Sequence, residues 1–346
     1  MNNYINRSRQ EQLELIMQTA AKLAMEPAAI EKDFWVCWIL QRLFESTLRH
    51  SIIFKGGTSL SKVYGLIKRF SEDIDLILNW EDFRVECEWN PGERYGKASR
   101  KKMMDALDEW NARQIAFSIL PIVQRCCGDV CTAQIPEDLP EVISITYPKN
   151  CECGYIRPQI LLEIGPKAAW NPHAKHTVRP YMAELYPMLF QNADASVVVT
   201  TAERAFWEKV TILHAQANRP SELPKRYARH YYDTVMMSRD AALKKKAYAD
   251  TKLLYQVASF KYYFYRAGWA DYPHAVPGTM HLMPSESILA DLEIDYNNMR
   301  SEMLPADAPS FQDILEEISQ LQKEINQLTP LRLDITNYPS MECSGR

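Results

Sequence analysis

"IIFKGGTSLSKVYGLIKRFSEDIDLIL" runs from Ile52 to Leu78. An apolar run meets two glycines, a polar segment follows, and an Asp-x-Asp pair leads into a second apolar run. Asp73 and Asp75 have period-2 spacing, so on a strand both side chains point to one face. Ile74, Leu76 and Ile77 hold that strand in a core. Two like charges side by side on a sheet repel unless something positive lies between them. A divalent cation answers that need, and carboxylate oxygens suit Mg2+ (or Mn2+). Glu163, in "QILLEIG", occupies an otherwise apolar strand, where a charge is costly without a partner. Asp73, Asp75 and Glu163 on neighbouring strands would form a two-metal site suited to phosphoryl or nucleotidyl transfer. A structural alternative for Glu163 is an ion pair with a residue such as Arg157.

The glycines fit the same chemistry. Gly56 and Gly57 lie between a strand and a helix start, where the backbone approaches a phosphate closely and N–H groups favour anions. Ser59 adds a hydroxyl, and Thr58 or Ser59 is expected to cap the helix.

Outward from this stretch, the pattern predicts helices over 9–24, 28–47, 58–67 and 98–120. Strands are expected at 51–54, 74–78, 141–148 and 157–165, the last two as a hairpin, with a loop over 80–97. Composition shifts near residue 195. Helices are then expected over 200–218, 224–240 (opened by Pro224), 241–265, 284–304 and the amphipathic stretch 309–328. The chain therefore reads as α+β: a mixed α/β domain over 1–195, and a mostly helical domain over 196–346.

The 346 residues are 47% hydrophobic and 24% charged, enough for a real core. A net charge of −4 excludes global attraction to nucleic acid, so any such binding needs a local basic patch. No apolar stretch approaches the roughly 18 residues of a membrane span. The polar N-terminus lacks the pattern of a secretory signal, so we expect a cytoplasmic protein with its thiols reduced. Of eight cysteines, Cys126, Cys127, Cys131, Cys151 and Cys153 cluster in sequence. Their spacing matches no paired C-x2-C knuckle, so a metal there stays an open alternative to reduced thiols beside a hairpin.

"FKGGTSLSKVYGLIKRFSEDIDLIL" (54–78) resembles the glycine-glycine and Asp-x-Asp signature of the polymerase-β-like nucleotidyltransferase superfamily. Within it, the pattern is similar to that of the AbiEii/AbiGii-type nucleotidyltransferase-like toxins of bacterial abortive-infection and toxin–antitoxin systems, which serve phage defence. "IEKDFWVCWIL" (30–40) resembles the helix before the family's core, "AERAFWEKVTILH" (202–214) its Lys-bearing motif, and "RHYYDTVMM" (229–237) its Asp-bearing motif. The fifteen residues between Gly57 and Asp73 exceed the general superfamily spacing and suit the toxin branch.

The resemblance implies a polymerase-β-like core followed by a helical domain that contributes Lys209 and Asp233 to the active site. It implies Mg2+ on Asp73 and Asp75, nucleotide phosphates at Ser71, Gly57 and Ser59, and an NTP as substrate. It also implies RNA, with tRNA acceptor ends as one target class, and a cognate antitoxin as partner. Lys209 would bind the triphosphate as a point charge; Asp233 would orient it or act as general base. Other acceptors on the same fold, a protein or small-molecule hydroxyl, and a non-catalytic nucleotide-binding module are the alternatives. His214 reads as a core-edge histidine and His230 as a surface one. Phe206, Trp207, Tyr231 and Tyr232 read as core. Lys225, Arg226 and Arg229 suit either a solvated helix end or RNA phosphates, and Lys244–Lys246 a solvated face.

Overall fold

The computed structural model describes residues 1–87, 96–151, 159–219 and 224–336, which fall into two compact units. The first takes Met1–Val63, Phe70–Cys87 and Arg100–Thr200. The second takes Tyr64–Arg69, the described part of 88–99, and the chain from Thr201 on.

In the first unit, α1 (Asn2–Ile5) and α2 (Arg9–Leu23) precede α3 (Pro27–Glu45). A Ser8–Glu11 capping box starts α2. Pro27 starts α3, where its missing N–H costs nothing. A helix that is buried all round belongs inside a domain. Nearly every residue of α3 is buried, including the consecutive charges Glu31, Lys32 and Asp33. Next come β1 (Ile52–Lys55), α4 (Gly56–Lys62), β2 (Ile74–Leu78), α5 (Glu81–Glu86) and α6 (Lys97–Gln114). One π-helical stretch over Ile115–Ile119 separates α6 from α7 (Leu120–Cys127). The unit is completed by β3 (Thr132–Gln134), β4 (Val142–Thr146), β5 (Gln159–Gly165), β6 (His173–Val178), α8 (Tyr181–Leu185) and β7 (Ala195–Thr200).

These strands form one seven-stranded sheet in the order β3-β4-β5-β2-β1-β7-β6. β2 runs parallel to β5 and β1 parallel to β7, and the remaining pairs are antiparallel. The sheet is mixed, and with its helices the chain is α+β, as its pattern led us to expect. Ile52, Ile53, Phe54, Ile74, Leu76, Ile77, Ile160 and Leu162 bury its centre.

Three strands escaped the sequence pattern. β3 is three residues long, and β6 ("HAKHTV") alternates polar with small residues at a sheet edge. β7 sits where the composition changes. The loop expected over 80–97 contains α5, and 88–95 lie outside the described residues, as does most of the hairpin turn between β4 and β5.

The second unit has α9 (Ala202–Ala217), α10 (Ala228–Arg239), α11 (Ala241–Ala249), α12 (Thr251–Phe264), α13 (Glu286–Met303) and α14 (Phe311–Asn326). Thr201 caps α9, and a Ser310–Asp313 capping box starts α14. The single helix expected over 241–265 is two, because the Asp250 side chain accepts from Leu253 N–H and starts α12 afresh. Pro224 does not open α10. That helix begins at Ala228, where Asp295 accepts from the N–H groups of Arg226 (2.8 Å) and Ala228 (2.7 Å). Phe206, Trp207, Tyr231 and Tyr232 are fully buried, which agrees with their reading as core.

Candidate active site

The first group of site residues is built by strand register. Asp75 is the Cα partner of Lys55 on β1 and of Glu163 on β5. Residues paired across a ladder carry their side chains on the same face. Lys55, Asp75 and Glu163 therefore form one row across three strands, a lysine beside two neighbouring carboxylates. Asp73 precedes β2 by one residue.

Glu163 is exposed, between buried Leu162 and Ile164. Its strand alternates, so the carboxylate does not bear the burial cost that the apolar sequence context suggested. Its expected alternative partner, Arg157, lies outside the described residues.

Gly56 has two reasons to be glycine. Its φ is +82°, and a Cβ placed on it would stand 1.8 Å from Asp75 Oδ2. The double-glycine turn thus lies directly against the Asp75 carboxylate. Gly57 follows it in the first turn of α4.

Neither Thr58 nor Ser59 caps this helix: the N-cap position is Lys55, and no side-chain cap bond is made. Both hydroxyls hold the turn in other ways. Ser59 Oγ donates to the Gly56 carbonyl at 2.8 Å. Thr58 Oγ1 bonds the Asp73 carbonyl and lies 3.0 Å from the Ser71 hydroxyl. Thr58 therefore ties the glycine turn to Ser71–Asp73.

The second group lies within the helical unit. Lys209 on α9 donates to Asp233 Oδ2 on α10 at 2.7 Å. Arg69, from the segment Tyr64–Arg69, grips the same carboxylate with two bonds, Nε to Oδ1 at 2.7 Å and Nη2 to Oδ2 at 2.9 Å. Asp233 is fully buried. Burial pushes its carboxyl up, but Arg69 and Lys209 outweigh that and hold it well below the usual carboxylate range. The bond from Lys209 places Asp233 beside the ammonium that it is expected to orient.

His230 Nδ1 lies 3.2 Å from Lys209 Nζ. Burial, and then the charges of Lys209 and Arg229, lower the His230 pKa well below its ordinary value, so the ring is neutral and accepts from the ammonium. The surface reading of His230 is thereby corrected. Burial lowers Lys209 as well, with Asp233 opposing. An ammonium has three donors. Two of them meet Asp233 and His230, which leaves one N–H on a side chain 13% exposed. Arg69 and Lys209 thus converge on one carboxylate. Sequence reasoning missed Arg69 and misplaced His230. Nothing local marks either, since Arg69 acquires its role from Asp233, far away in sequence, and His230 from Lys209, on another helix.

The remaining expectations divide. Lys225, Arg226 and Arg229 are exposed. Lys244 pairs with Glu324 at 3.1 Å and Lys246 with Glu203 at 3.8 Å. His214 is buried, with Nε2 against the Asp271 carbonyl and Nδ1 accepting from His281 N–H. Cys127, Cys131 and Cys151 are buried, Cys126 is half-buried, and Cys153 lies outside the described residues. Burial pushes the Cys127 and Cys131 thiols up to about 12, unlike the thiolates a metal would need. Among the described residues, no three or more His, Cys, Asp or Glu side chains stand gathered as metal ligands, at the cysteines or at the carboxylates. No helix there is long and apolar enough to cross a membrane.

Comparison with known proteins concerns the chain as a whole. Residues 38–317 match the family described as nucleotidyl transferase AbiEii toxin, type IV toxin–antitoxin system. Among solved structures, the chain is similar to MenT4, a nucleotidyltransferase toxin from Mycobacterium tuberculosis H37Rv, with a TM-score of 0.52 and 16% identity over 94% of this chain and 91% of that one. At that identity the likeness concerns the fold. No curated protein matches the chain significantly.

Proposed function

The chain belongs to the AbiEii nucleotidyl transferase toxin family, and from that premise we propose that it transfers a nucleoside monophosphate from an NTP to an RNA 3′ hydroxyl, with tRNA as the favoured acceptor. Membership makes it a nucleotidyltransferase toxin and implies an antitoxin partner. The acceptor, the metal and the residue roles are our reading. The observation that carries it is the Asp75 carboxylate lying against the Gly56 turn, in register with Glu163 and two residues from Asp73.

Asp75, with Glu163 in register beside it and Asp73 two residues before it, offers hard oxygen donors of the kind that suits Mg2+ or Mn2+. Asp73 and Asp75, joined by Glu163, would hold the cation, which supplies neutralising charge for the triphosphate and lowers the pKa of the attacking hydroxyl. In the transfer, a bond forms between the acceptor oxygen and the α-phosphorus as the bond to pyrophosphate breaks. Gly56 and Gly57 let the backbone come close to the phosphates, and Ser71 offers them a hydroxyl. Ser59 supports that turn by bonding the Gly56 carbonyl.

Lys209 presents its remaining N–H to a phosphate oxygen. Asp233, itself gripped by Arg69, holds the ammonium in place, and His230 takes a second N–H without adding charge. Lys225, Arg226 and Arg229 offer exposed cations to RNA phosphates.

Purified protein with Mg2+, total tRNA and each α-32P-labelled NTP in turn tests this, with Asp73→Ala as control. Label on RNA that vanishes in the variant supports the reading and names the base. Label on protein alone would transfer the acceptor role to a protein hydroxyl. Nucleotide binding with no label anywhere would sink the RNA reading.

A further inference from the structure

We infer that Lys32, acting through Glu72, is a positioning residue for the carboxylates of Asp73 and Asp75; the inference rests on the reading of those carboxylates as metal ligands. Lys32 stands mid-helix on α3 with no exposed side-chain surface, and its Nζ lies 2.6 Å from Glu72 Oε2. Lysine is almost never fully buried without a partner. A buried ion pair is also a poor source of stability, since well-packed apolar residues of similar volume do as well or better. Something other than stability has to explain a charge here.

The location of Glu72 supplies the explanation. It sits between Ser71 and Asp73, in a segment without strand pairing that leads into β2. With no ladder to set this segment's direction, side chains must do so. Thr58 bonds the Asp73 carbonyl from one side. Lys32 holds Glu72 from α3. Successive side chains of an extended chain point to opposite sides. Drawing Glu72 toward α3 therefore turns Asp73 away from it, onto the side Asp75 shares.

The residues flanking Lys32 act in the same way on other segments. Asp33 pairs with Lys62 of α4 at 2.7 Å and accepts from Tyr181 N–H at 2.7 Å. Glu31 accepts from the N–H groups of Asn150 (2.7 Å) and Cys151 (3.0 Å). Three consecutive buried charges of one helix thus reach four separate segments. Two of these segments, α4 and Ser71–Asp73, are the ones that carry the glycine turn and the first carboxylate.

The test uses the full chain and two variants chosen to fold. Lys32→Met/Glu72→Leu replaces the pair with apolar side chains. Glu72→Asp keeps both charges but shortens the tether by one methylene. Mn2+ binding by electron paramagnetic resonance, melting temperature, and kcat and KM for label transfer are measured on each. We expect Mn2+ affinity to fall about 10–100-fold in both variants, the usual effect of removing a residue that orients a metal ligand. We expect kcat to fall with it, while the KM for RNA and the melting temperature hold.

If the wild type transfers label and both variants bind Mn2+ and turn over as it does, the inference is overturned and the functional reading stands. If the wild type transfers nothing yet binds Mn2+ in a way that depends on Lys32, the inference stands and the transfer reading fails. A wild type that binds no Mn2+ overturns the inference whatever the label shows.

Discussion

The two charged regions solve opposite problems. The row Lys55, Asp75 and Glu163 lies on one face of the sheet, with Glu163 exposed and Asp75 half-buried. Solvent reaches its carboxylates, and its special demand is a glycine whose missing Cβ makes room for one of them. The cluster of Asp233, Arg69, Lys209 and His230 centres on a carboxylate with no exposed surface. There each charge must be met by another, and the cluster is tightly cross-linked as a result. Changes in the first region should therefore cost activity far more than stability. Changes in the second should cost both.

The largest separation is expected from Asp75→Asn. Transfer should fall about 100-fold or more while the urea midpoint barely moves. A matching loss of stability would make Asp75 a structural residue and erase the contrast. Asp233→Asn should do the reverse first. It removes the buried carboxylate that Arg69 and Lys209 share, a loss of about 3–5 kcal/mol in urea unfolding. Little or no shift would mean that the cluster is wetter than its burial indicates.

Gly56→Ala comes next. A methyl there collides with Asp75 and strains a positive φ, so we expect about 1–3 kcal/mol of destabilisation together with loss of transfer. Retained activity would show that the turn and the carboxylate separate freely.

The pH response sharpens the contrast further. Burial lowers the pKa of His214, and burial with nearby cations lowers that of His230. A folded pKa below the unfolded one means that the unfolded chain binds the extra proton. Stability is then fully present above about pH 6.5 and is lost as pH falls below it, by up to about 1.4 kcal/mol per unit for each histidine. His230→Asn should flatten part of this slope in urea titrations between pH 7 and 5. An unchanged slope would return His230 to the surface. Smallest is Thr58→Val, at about 1 kcal/mol for a lost hydrogen bond, with a detectable drop in kcat because the glycine turn loses its tie to Asp73.

Much of this was legible before any coordinates. β1, β2 and β5 read directly as apolar runs, and the α14 face read as a 3.6-residue period. Asp73, Asp75 and the glycines stood out because they break apolar patterns locally. β6 was not legible, because an edge strand with polar alternation carries no apolar signal. The split between α11 and α12 was marked by the cap Asp250 alone.

What the sequence determined by itself is therefore the local chemistry: which strand carries two carboxylates, which turn needs glycine, and which helices bear a lysine and an aspartate. Their types and spacings act within a few residues, so a linear reading reaches them. Only the tertiary structure decided that Glu163 shares a row with Asp75, that Arg69 reaches Asp233 across 164 positions, and that Lys32 reaches Glu72 across 40. The physical reason is that strand register and buried ion pairs arise between segments distant in sequence. Their energies depend on burial and geometry, which no residue carries until the chain has folded around it.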